Sequence, residues 1–271
     1  MTESAHEWNS QVYHKVSNPQ FEWGLKVLDR LQLAGDERVM DAGCGSGRLT
    51  AKLLDRLPRG EVVGVDLSQN MLTEAAANLT GYGNRVSFVR ADLANLPFAA
   101  EFDVVFSTAS FHWVPDHDAL FGSLAMALKS GGRIEAQCGG GANLHDVHRR
   151  IMNLMHSERY SRFFGNWKYP WEFASAETTA KRMTRAGFVN IETWLEPAAF
   201  RLGSAEEYRE FLPTVILRPF LQAITDERLR NEFVEDMVRQ AVEDPAFQLD
   251  YWRLNLRGRK ADSATRSGPT V

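Results

Sequence analysis

The chain has 271 residues, of which 44% are hydrophobic, so it can bury one large core and carry an additional cap. Its formal net charge is −4, and this acidic balance provides no basic field for nucleic acid or a membrane surface. We find no apolar run of spanning length and no signal-peptide pattern. The two cysteines, Cys44 and Cys138, lie in a glycine-rich loop and just after a predicted strand. We therefore expect no structural disulfide and a cytoplasmic location.

The first predicted helix begins near Asn18 and Pro19, because asparagine caps helices well and proline suits the first helical position. Apolar residues then recur at helical spacing and mark one buried stripe: Phe21, Leu25, Leu28 and Leu31. We expect this helix to lie against a sheet and to bring the preceding segment over a site.

Residues 39–47 predict a buried strand, a tight turn and the start of a helix. The three alternating glycines of the turn, Gly43, Gly45 and Gly47, can adopt positive φ or let the backbone approach a ligand. Such a turn at the carboxyl end of a parallel strand is where α/β sheets bind nucleotides. The spacing is G-x-G-x-G rather than G-x-G-x-x-G, and a glycine loop alone is a weak signal.

Three more apolar strands strengthen this signal. Strand 61–66 ends in Asp66, about 20 residues past the glycine loop, where a ribose-binding carboxylate is expected. A third strand, 85–90, leads to Asp92, and a fourth spans 102–107. Together the four strands direct glycines and acids toward one edge of a sheet.

Strands and helices alternate through the first half of the chain, which predicts a parallel sheet with helices on both faces. The helices are predicted at 48–57, 69–80 and 117–128, and a fifth strand at 132–137. The pattern then changes at the glycine run 139–141. The remaining predicted elements are a helix at 144–156, an aromatic-rich loop at 160–173, a helix at 175–186, a strand at 188–195, helices within 204–243, and a strand at 249–256 with Trp252, Leu254 and Leu256 on one face.

Four runs, DAGCGSG from residue 41, VVGVDLSQNML from 62, VRADLANLPF from 89 and FDVVFSTASFHWV from 102, resemble class I S-adenosylmethionine-dependent methyltransferases. The step 111–113 and the segment 13–20 resemble a small-molecule branch with trans-aconitate, malonyl-carrier-protein and juvenile-hormone-acid O-methyltransferases. The resemblance implies an α/β, Rossmann-like, doubly wound sheet of seven mostly parallel strands in the order 3-2-1-4-5-7-6. It covers roughly residues 11–137 and is weaker beyond them.

The resemblance also implies where the cofactor, S-adenosylmethionine, binds. Its methionine end is assigned to Asp41, Gly43, Cys44 and Gly45, with Ser107 near the amino group and Gly47 allowing close helix packing. The ribose hydroxyls are assigned to Asp66, and the adenine to Leu67, Met71, Asp92 and the amide of Leu93. Each acid could instead be a helix cap or a solvated strand end. No metal is predicted, because His145 and His148 lack two further ligands and a solvated helix face explains them better.

On the acceptor side, the resemblance assigns Gln20 to a substrate carboxylate, with Tyr13 and Ser17 touching the cofactor or closing the site. The alternative is an ordinary amphipathic entry to a helix. Trp113 offers a donor nitrogen and an apolar wall, and it is the second candidate for holding the carboxylate. His112 could be a general base or a packed loop histidine.

We therefore predict one methyltransferase domain over residues 1–257, with an N-terminal cap at 8–33, a cofactor-binding core at 36–138 and a helical lid at 139–170 and 204–243. The part of the lid at 204–243 is an insertion between strands 6 and 7, and residues 258–271 are expected to be disordered. The predicted reaction is O-methylation of a small carboxylic acid, since a carboxylate needs no base. The alternatives are methylation of a hydroxyl or amine with His112 as base, a cofactor-binding protein that no longer methylates, and a nonenzymatic module. The oligomeric state stays open between monomer and dimer.

Overall fold

A computed structural model describes residues 18–242 and 245–262. Tyr13, Ser17, the first part of the predicted cap and the end of the predicted tail lie outside the described residues. The helices in chain order are α1 (Asn18–Arg30), α2 (Arg48–Asp55), α3 (Gln69–Asn78), α4 (His117–Ala127), α5 (His145–Met155), α6 (Ala176–Arg185), α7 (Ala205–Val215), α8 (Arg218–Ala223) and α9 (Glu227–Gln240). The strands are β1 (Arg38–Ala42), β2 (Glu61–Asp66), β3 (Val86–Arg90), β4 (Phe102–Thr108), β5 (Leu128–Gly139), β6 (Phe188–Pro197), β7 (Phe200–Arg201), β8 (Gln248–Leu249) and β9 (Trp252–Lys260).

Seven of these strands form the central sheet, in the order β3-β2-β1-β4-β5-β9-β6. Strands β1 to β5 pair in parallel, and β9 lies antiparallel between β5 and β6. The predicted sheet order is therefore confirmed, with β9 as the predicted seventh strand. Because the parallel strands run the same way, the residues that end β1, β2 and β4 meet at one edge.

The predicted bounds of the last strand and the predicted start of the disordered tail are wrong. The strand begins at Trp252 and ends at Lys260, whereas the alternation predicted 249–256 and a disordered tail from residue 258. Gly258 pairs with Ile134 of β5, so the ladder extends beyond the apolar part of the strand. The domain thus continues past residue 257. Residues 248–249 belong instead to a separate two-stranded sheet with β7.

Over residues 253–256 both faces of β9 are buried, although the sequence alternates between apolar and polar residues. Arg253 and Asn255 are only 4% and 0% exposed. The Arg30 side chain of α1 donates to Asn255 Oδ1 at 3.0 Å, and Gln137 Nε2 of β5 donates to the same oxygen at 2.8 Å. The polar side of this strand therefore lies inside the molecule and close to the N-terminal helix.

A second apolar core lies outside the sheet and joins α5, the segment 160–173 and the helices α7 to α9. The three helices α7 to α9 lie in the chain between β6 and β9, which is the position predicted for a helical insertion. Trp23 of α1 and Trp113 pack against this core. In the described part of the chain, no helix has the length and apolar character that crossing a bilayer requires.

Candidate functional site

The glycine loop leaves β1 and folds back over the end of β2. The amides of Gly43 and Cys44 both donate to the Val65 carbonyl, at 2.7 and 3.0 Å. Gly43, Gly45 and Gly47 all have positive φ, at 82°, 53° and 82°. The expected tight turn is therefore present. Two of its amides, however, are engaged inside the protein rather than directed toward a ligand.

The three glycines serve different purposes. A Cβ at Gly43 would collide with Ser110 Oγ, and a Cβ at Gly47 would lie 2.8 Å from Leu79 Cδ1, so packing explains both. A Cβ at Gly45 would meet no atom within 4 Å. Gly45 thus borders open space at the carboxyl edge of the sheet, which is where a cradle for a ligand is expected.

Asp66 sits at the end of β2 with its carboxylate oriented by two backbone amides. Gly45 N donates to its Oδ2 at 3.0 Å, and Ser68 N donates to its Oδ1 at 2.9 Å. A carboxylate accepts about four hydrogen bonds, so these contacts leave capacity for hydroxyl donors. Beside it, Leu67 is 37% exposed, which is unusual for a large apolar side chain, and Met71 is buried.

Asp41 is buried under the glycine loop. Thr50 Oγ1 donates to its Oδ2 at 2.6 Å. Burial raises the pKa of Asp41 to about 7, and the negative charge of Asp66 adds to this shift. A cation placed here would favour the ionised form of Asp41. Cys44 in the glycine loop and Cys138 near the end of β5 are both free thiols. Burial raises the pKa of Cys44 well above its usual range, so this thiol is a poor nucleophile.

The other predicted cofactor residues are more varied in position. Asp92 is exposed, and its Oδ1 accepts from Ala94 N at 2.9 Å, which is a local turn contact. Leu93 beside it is 7% exposed. Ser107 is buried, and its Oγ donates to the Ala42 carbonyl at 2.6 Å. This hydroxyl therefore joins β4 to β1. The Ala42 carbonyl competes for it with the ligand's amino group, which is its predicted partner.

On the acceptor side, Gln20 lies in the first turn of α1. Its Oε1 is buried and has no hydrogen-bond partner among the described residues. Buried amide oxygens are nearly always bonded, so an orphaned one requires an explanation. The partner of this oxygen must be a hydrogen-bond donor, whereas a carboxylate could be held only by the Nε2 donors of the same side chain.

His112 is held in one tautomer. The backbone amide of Gly139 donates to His112 Nδ1 at 3.3 Å, so in the neutral ring the proton resides on Nε2. Burial lowers the pKa of His112 well below its usual value, with the positive charge of Arg253 as a second cause. The ring also stacks on Phe173, with centroids 5.7 Å apart. His112 therefore presents a donor at Nε2, and its basic lone pair is occupied.

An aromatic column links this histidine to the second apolar core. Trp113 packs on Trp171 at 5.4 Å, and His148 stacks on Trp171 and Phe173 at 5.1 and 5.5 Å. His148 Nδ1 is hydrogen-bonded to the Tyr169 hydroxyl at 2.9 Å. The prediction of a solvated helix face was therefore wrong for His148, because the aromatic loop folds over it. It holds for the neighbouring His145, which is exposed.

Sequence reasoning missed two polar residues beside the acceptor side, Gln137 of β5 and Arg253 of β9. They are 3% and 4% exposed. The sequence offered little signal, because both strands contain several other polar and charged residues; what singles out Gln137 and Arg253 is their burial, which is rare for such groups unless they are paired or bind something. Among the described residues, no group of three or more His, Cys, Asp and Glu is placed to hold a metal ion.

The sheet order, the glycine turn after β1 and the carboxylate ending β2 are those of class I S-adenosylmethionine-dependent methyltransferases. Residues 39–132 match the methyltransferase domain family. A solved structure of Haemonchus contortus phosphoethanolamine N-methyltransferase 2, in complex with phosphomonomethylethanolamine and S-adenosylhomocysteine, superimposes with a TM-score of 0.61 at 20% identity. The match covers 96% of this chain and 58% of that one, and at this identity it shows the fold alone.

Two curated relatives extend the match to most of the chain. Trans-aconitate 2-methyltransferase of Mycolicibacterium gilvum is 31% identical over 223 residues, which cover 81% of this chain and 84% of the relative. The corresponding protein of Methylobacterium nodulans is 29% identical over 239 residues, which cover 84% and 86%. The chain belongs to the trans-aconitate 2-methyltransferase family. It is an S-adenosylmethionine-dependent methyltransferase that acts on a small molecule.

Proposed function

We propose that this enzyme transfers a methyl group to a carboxylate oxygen of a small carboxylic acid. One observation carries the proposal: His112 Nδ1 accepts from the Gly139 amide, so the imidazole beside the site has no lone pair available to take a proton. A hydroxyl or ammonium acceptor must lose a proton during transfer and benefits from a base. A carboxylate is already ionised near neutral pH. Hydrogen-bond donors suit it, and His112 Nε2–H and the Gln20 and Trp113 side chains provide them.

The residues at the sheet edge fit the cofactor, because Gly45 borders open space that a Cβ would fill. S-adenosylmethionine supplies a methyl group activated on a sulfonium. Asp66 would accept the ribose hydroxyls while its two backbone contacts keep the carboxylate oriented. Asp41, whose pKa is raised to about 7, would become ionised beside the cationic methionine end. Leu67 and Met71 would cover the adenine, whose edge Asp92 and Leu93 would meet.

The remaining task of the protein is alignment and exclusion of water. Gln20 and Trp113 would hold the acceptor carboxylate so that one oxygen faces the methyl carbon. The aromatic column from Trp113 to His148 would keep water away from the reacting atoms. The names of the relatives point in the same direction, since trans-aconitate is a small polycarboxylic acid.

A screen of small acids, with alcohols and amines of the same carbon skeletons, tests this proposal. The enzyme is incubated with methyl-labelled S-adenosylmethionine, and products are identified by mass spectrometry together with release of S-adenosylhomocysteine. We expect label in acids only, as methyl esters that mild base hydrolyses to methanol. A variant that cannot bind cofactor, Gly45→Val, serves as the blank. Base-stable label in alcohols or amines would overturn the carboxylate assignment.

A further inference from the structure

A cavity of about 510 Å³ lies between α1, the end of β5, the start of β9 and the segment after β6. It is lined by Pro19, Trp23, Lys26, Gln137, Arg253 and residues 196–200, with Glu22 at its edge. This volume is in the range of small-ligand sites. None of the residues assigned above to the cofactor lines it.

The floor of the cavity carries a buried positive charge. Arg253 is 4% exposed, its Nε donates to Gln137 Oε1 at 3.4 Å, and its guanidinium lies 4.7 Å over the Trp23 ring. Gln137 in turn donates to Asn255 Oδ1 at 2.8 Å. The guanidinium is thus oriented from behind and from one face. An arginine has five N–H donors, so it can bind an anion in addition to contacts within the chain.

The exposed charged side chains at the rim do not determine the sign of the electrostatic potential inside the cavity. Lys26, Glu22 and Glu196 are all exposed there, and they carry one positive and two negative charges. Exposed charges are screened by water and salt, whereas a buried charge acts in a lower dielectric. Arg253 therefore brings a positively charged group with several N–H donors into the interior, where a negative ligand group can approach it.

This cavity adjoins the acceptor side of the site. Arg253 pairs with Gly139 across the β5–β9 ladder, and the amide of Gly139 is the group that holds His112. On α1, Trp23 follows Gln20 by three residues, which places both on the same face of the helix. An elongated acid held at one end by Gln20 and His112 could therefore extend toward Arg253.

We propose that Arg253 binds a second carboxylate of the acceptor and thereby makes the enzyme select acids with two or more carboxylates. This inference rests on the proposed carboxylate methylation. The guanidinium provides a planar pair of N–H donors that matches a carboxylate, which a lysine ammonium does not. Arg253 is then a specificity-determining residue that contacts substrate at a distance from the reacting oxygen.

The test compares acids of matched carbon skeleton that carry one or two carboxylates, with wild type, Arg253→Gln and Arg253→Lys. For Arg253→Gln we expect kcat/KM for the diacid to fall about 10–100-fold, mostly through KM, with the monoacid changed less than about threefold. The kcat/KM of Arg253→Lys for the diacid should lie between those of wild type and Arg253→Gln, because lysine keeps the positive charge but lacks the planar pair of N–H donors. Lys52→Gln, an exposed charge on α2 that does not line the cavity, is the control and should change kcat/KM for either substrate by less than about threefold.

Calorimetric affinity for S-adenosylhomocysteine and the melting temperature show whether each variant keeps its fold. If Arg253→Gln does not fold, the wild type still decides the question. A nonmethylatable diacid should then compete with the acceptor at least about tenfold better than its monoacid analogue. Equal losses on monoacid and diacid, or equal competition, would overturn the role of Arg253. Absence of any methylated acid with wild type would instead overturn the proposed function itself.

Discussion

The proposed cofactor side and the proposed acceptor side of this site are constructed differently. The cofactor side uses residues 41–107, which lie on adjacent parallel strands and the turns that follow them. Its central contacts involve backbone, as between Gly45 N and Asp66. The acceptor side uses side chains from α1, the turn at 111–113, the aromatic loop and β9. Gln137 and Asn255, which support it, are 118 residues apart.

The difference indicates how each side should respond to mutation. A backbone cradle tolerates little, because a side chain in the wrong place excludes the ligand and strains the turn. A pocket of separate side chains should lose its contributions one at a time. Substitutions on the cofactor side should therefore abolish cofactor binding. Substitutions on the acceptor side should each lower activity in part and leave the affinity for the cofactor unchanged.

The largest effect is expected for Gly45→Val. A β-branched residue at φ 53° is strained by about 1–2 kcal/mol, and its side chain fills the open space beside the loop. Calorimetry should detect no binding of S-adenosylhomocysteine. Gly83→Val is a control for backbone strain, because Gly83 also has a positive φ, 59°, and open surroundings but lies outside the glycine loop after β1. Comparable affinity in the two variants would contradict the cradle.

Asp66→Ala should follow, with cofactor affinity reduced about 100-fold or more. Hydrogen bonds to a charged acceptor contribute about 1.5–3 kcal/mol each, two ribose hydroxyls are involved, and Gly45 N also loses its partner. Asp92→Ala should cost only about tenfold, since Asp92 is exposed and would make one contact. Unchanged affinity in Asp66→Ala, measured by calorimetry, would remove the ribose assignment.

Gln20→Ala and Trp113→Phe sharpen the comparison from the acceptor side. Each should lower kcat/KM for the acid by about 10–100-fold, because each removes a donor to the carboxylate. Affinity for S-adenosylhomocysteine should stay within about twofold of wild type. Asp29→Asn, an exposed change on the same helix, is the control. A parallel loss of cofactor affinity would show that the two sides are not separable.

Cofactor binding should depend on pH through Asp41, whose pKa is raised from 3.8 to about 7. A cationic amine favours the ionised form, so affinity should fall as pH drops below about 7, by up to about tenfold per unit. Without cofactor the folded state holds this proton more tightly than the unfolded chain. Its stability should therefore decrease as pH rises from about 4 to about 7.

Asp41→Asn keeps an acceptor for Thr50 Oγ1 and carries no charge. It should flatten the dependence of both affinity and stability on pH, as followed by calorimetry and chemical denaturation. The persistence of both slopes in Asp41→Asn would assign them to another group.

The smallest effect is expected for His112→Asn, whose side-chain oxygen can accept from Gly139 N in place of Nδ1. Activity on the acid should fall less than about tenfold, and kcat at saturating cofactor should not depend on pH between about 6 and 9. A loss larger than that of Gln20→Ala would indicate a base and an acceptor other than a carboxylate.

The parallel strands and the glycine turn followed from local patterns, whereas the full order of the sheet and the cofactor class followed from the resemblance to class I methyltransferases. The run 39–47 predicts its own strand, turn and helix because three glycines and an apolar run restrict the backbone within nine residues. Asp66 was placed by its distance from that turn. Parallel strands then bring such residues to one edge whatever the details of side-chain packing.

The acceptor side required the tertiary structure. The sequence shows that Arg253 alternates with apolar residues, but a two-residue period does not reveal that α1 covers the polar face of β9. Likewise His112 looks like a base or a packed residue until the amide of Gly139, 27 positions away, is seen to occupy Nδ1. Burial, tautomer and charge at these positions depend on contacts between distant segments. The sequence by itself thus determined the fold, through its local patterns and its resemblance to a family, and only the tertiary structure decided burial, tautomer and charge on the proposed acceptor side.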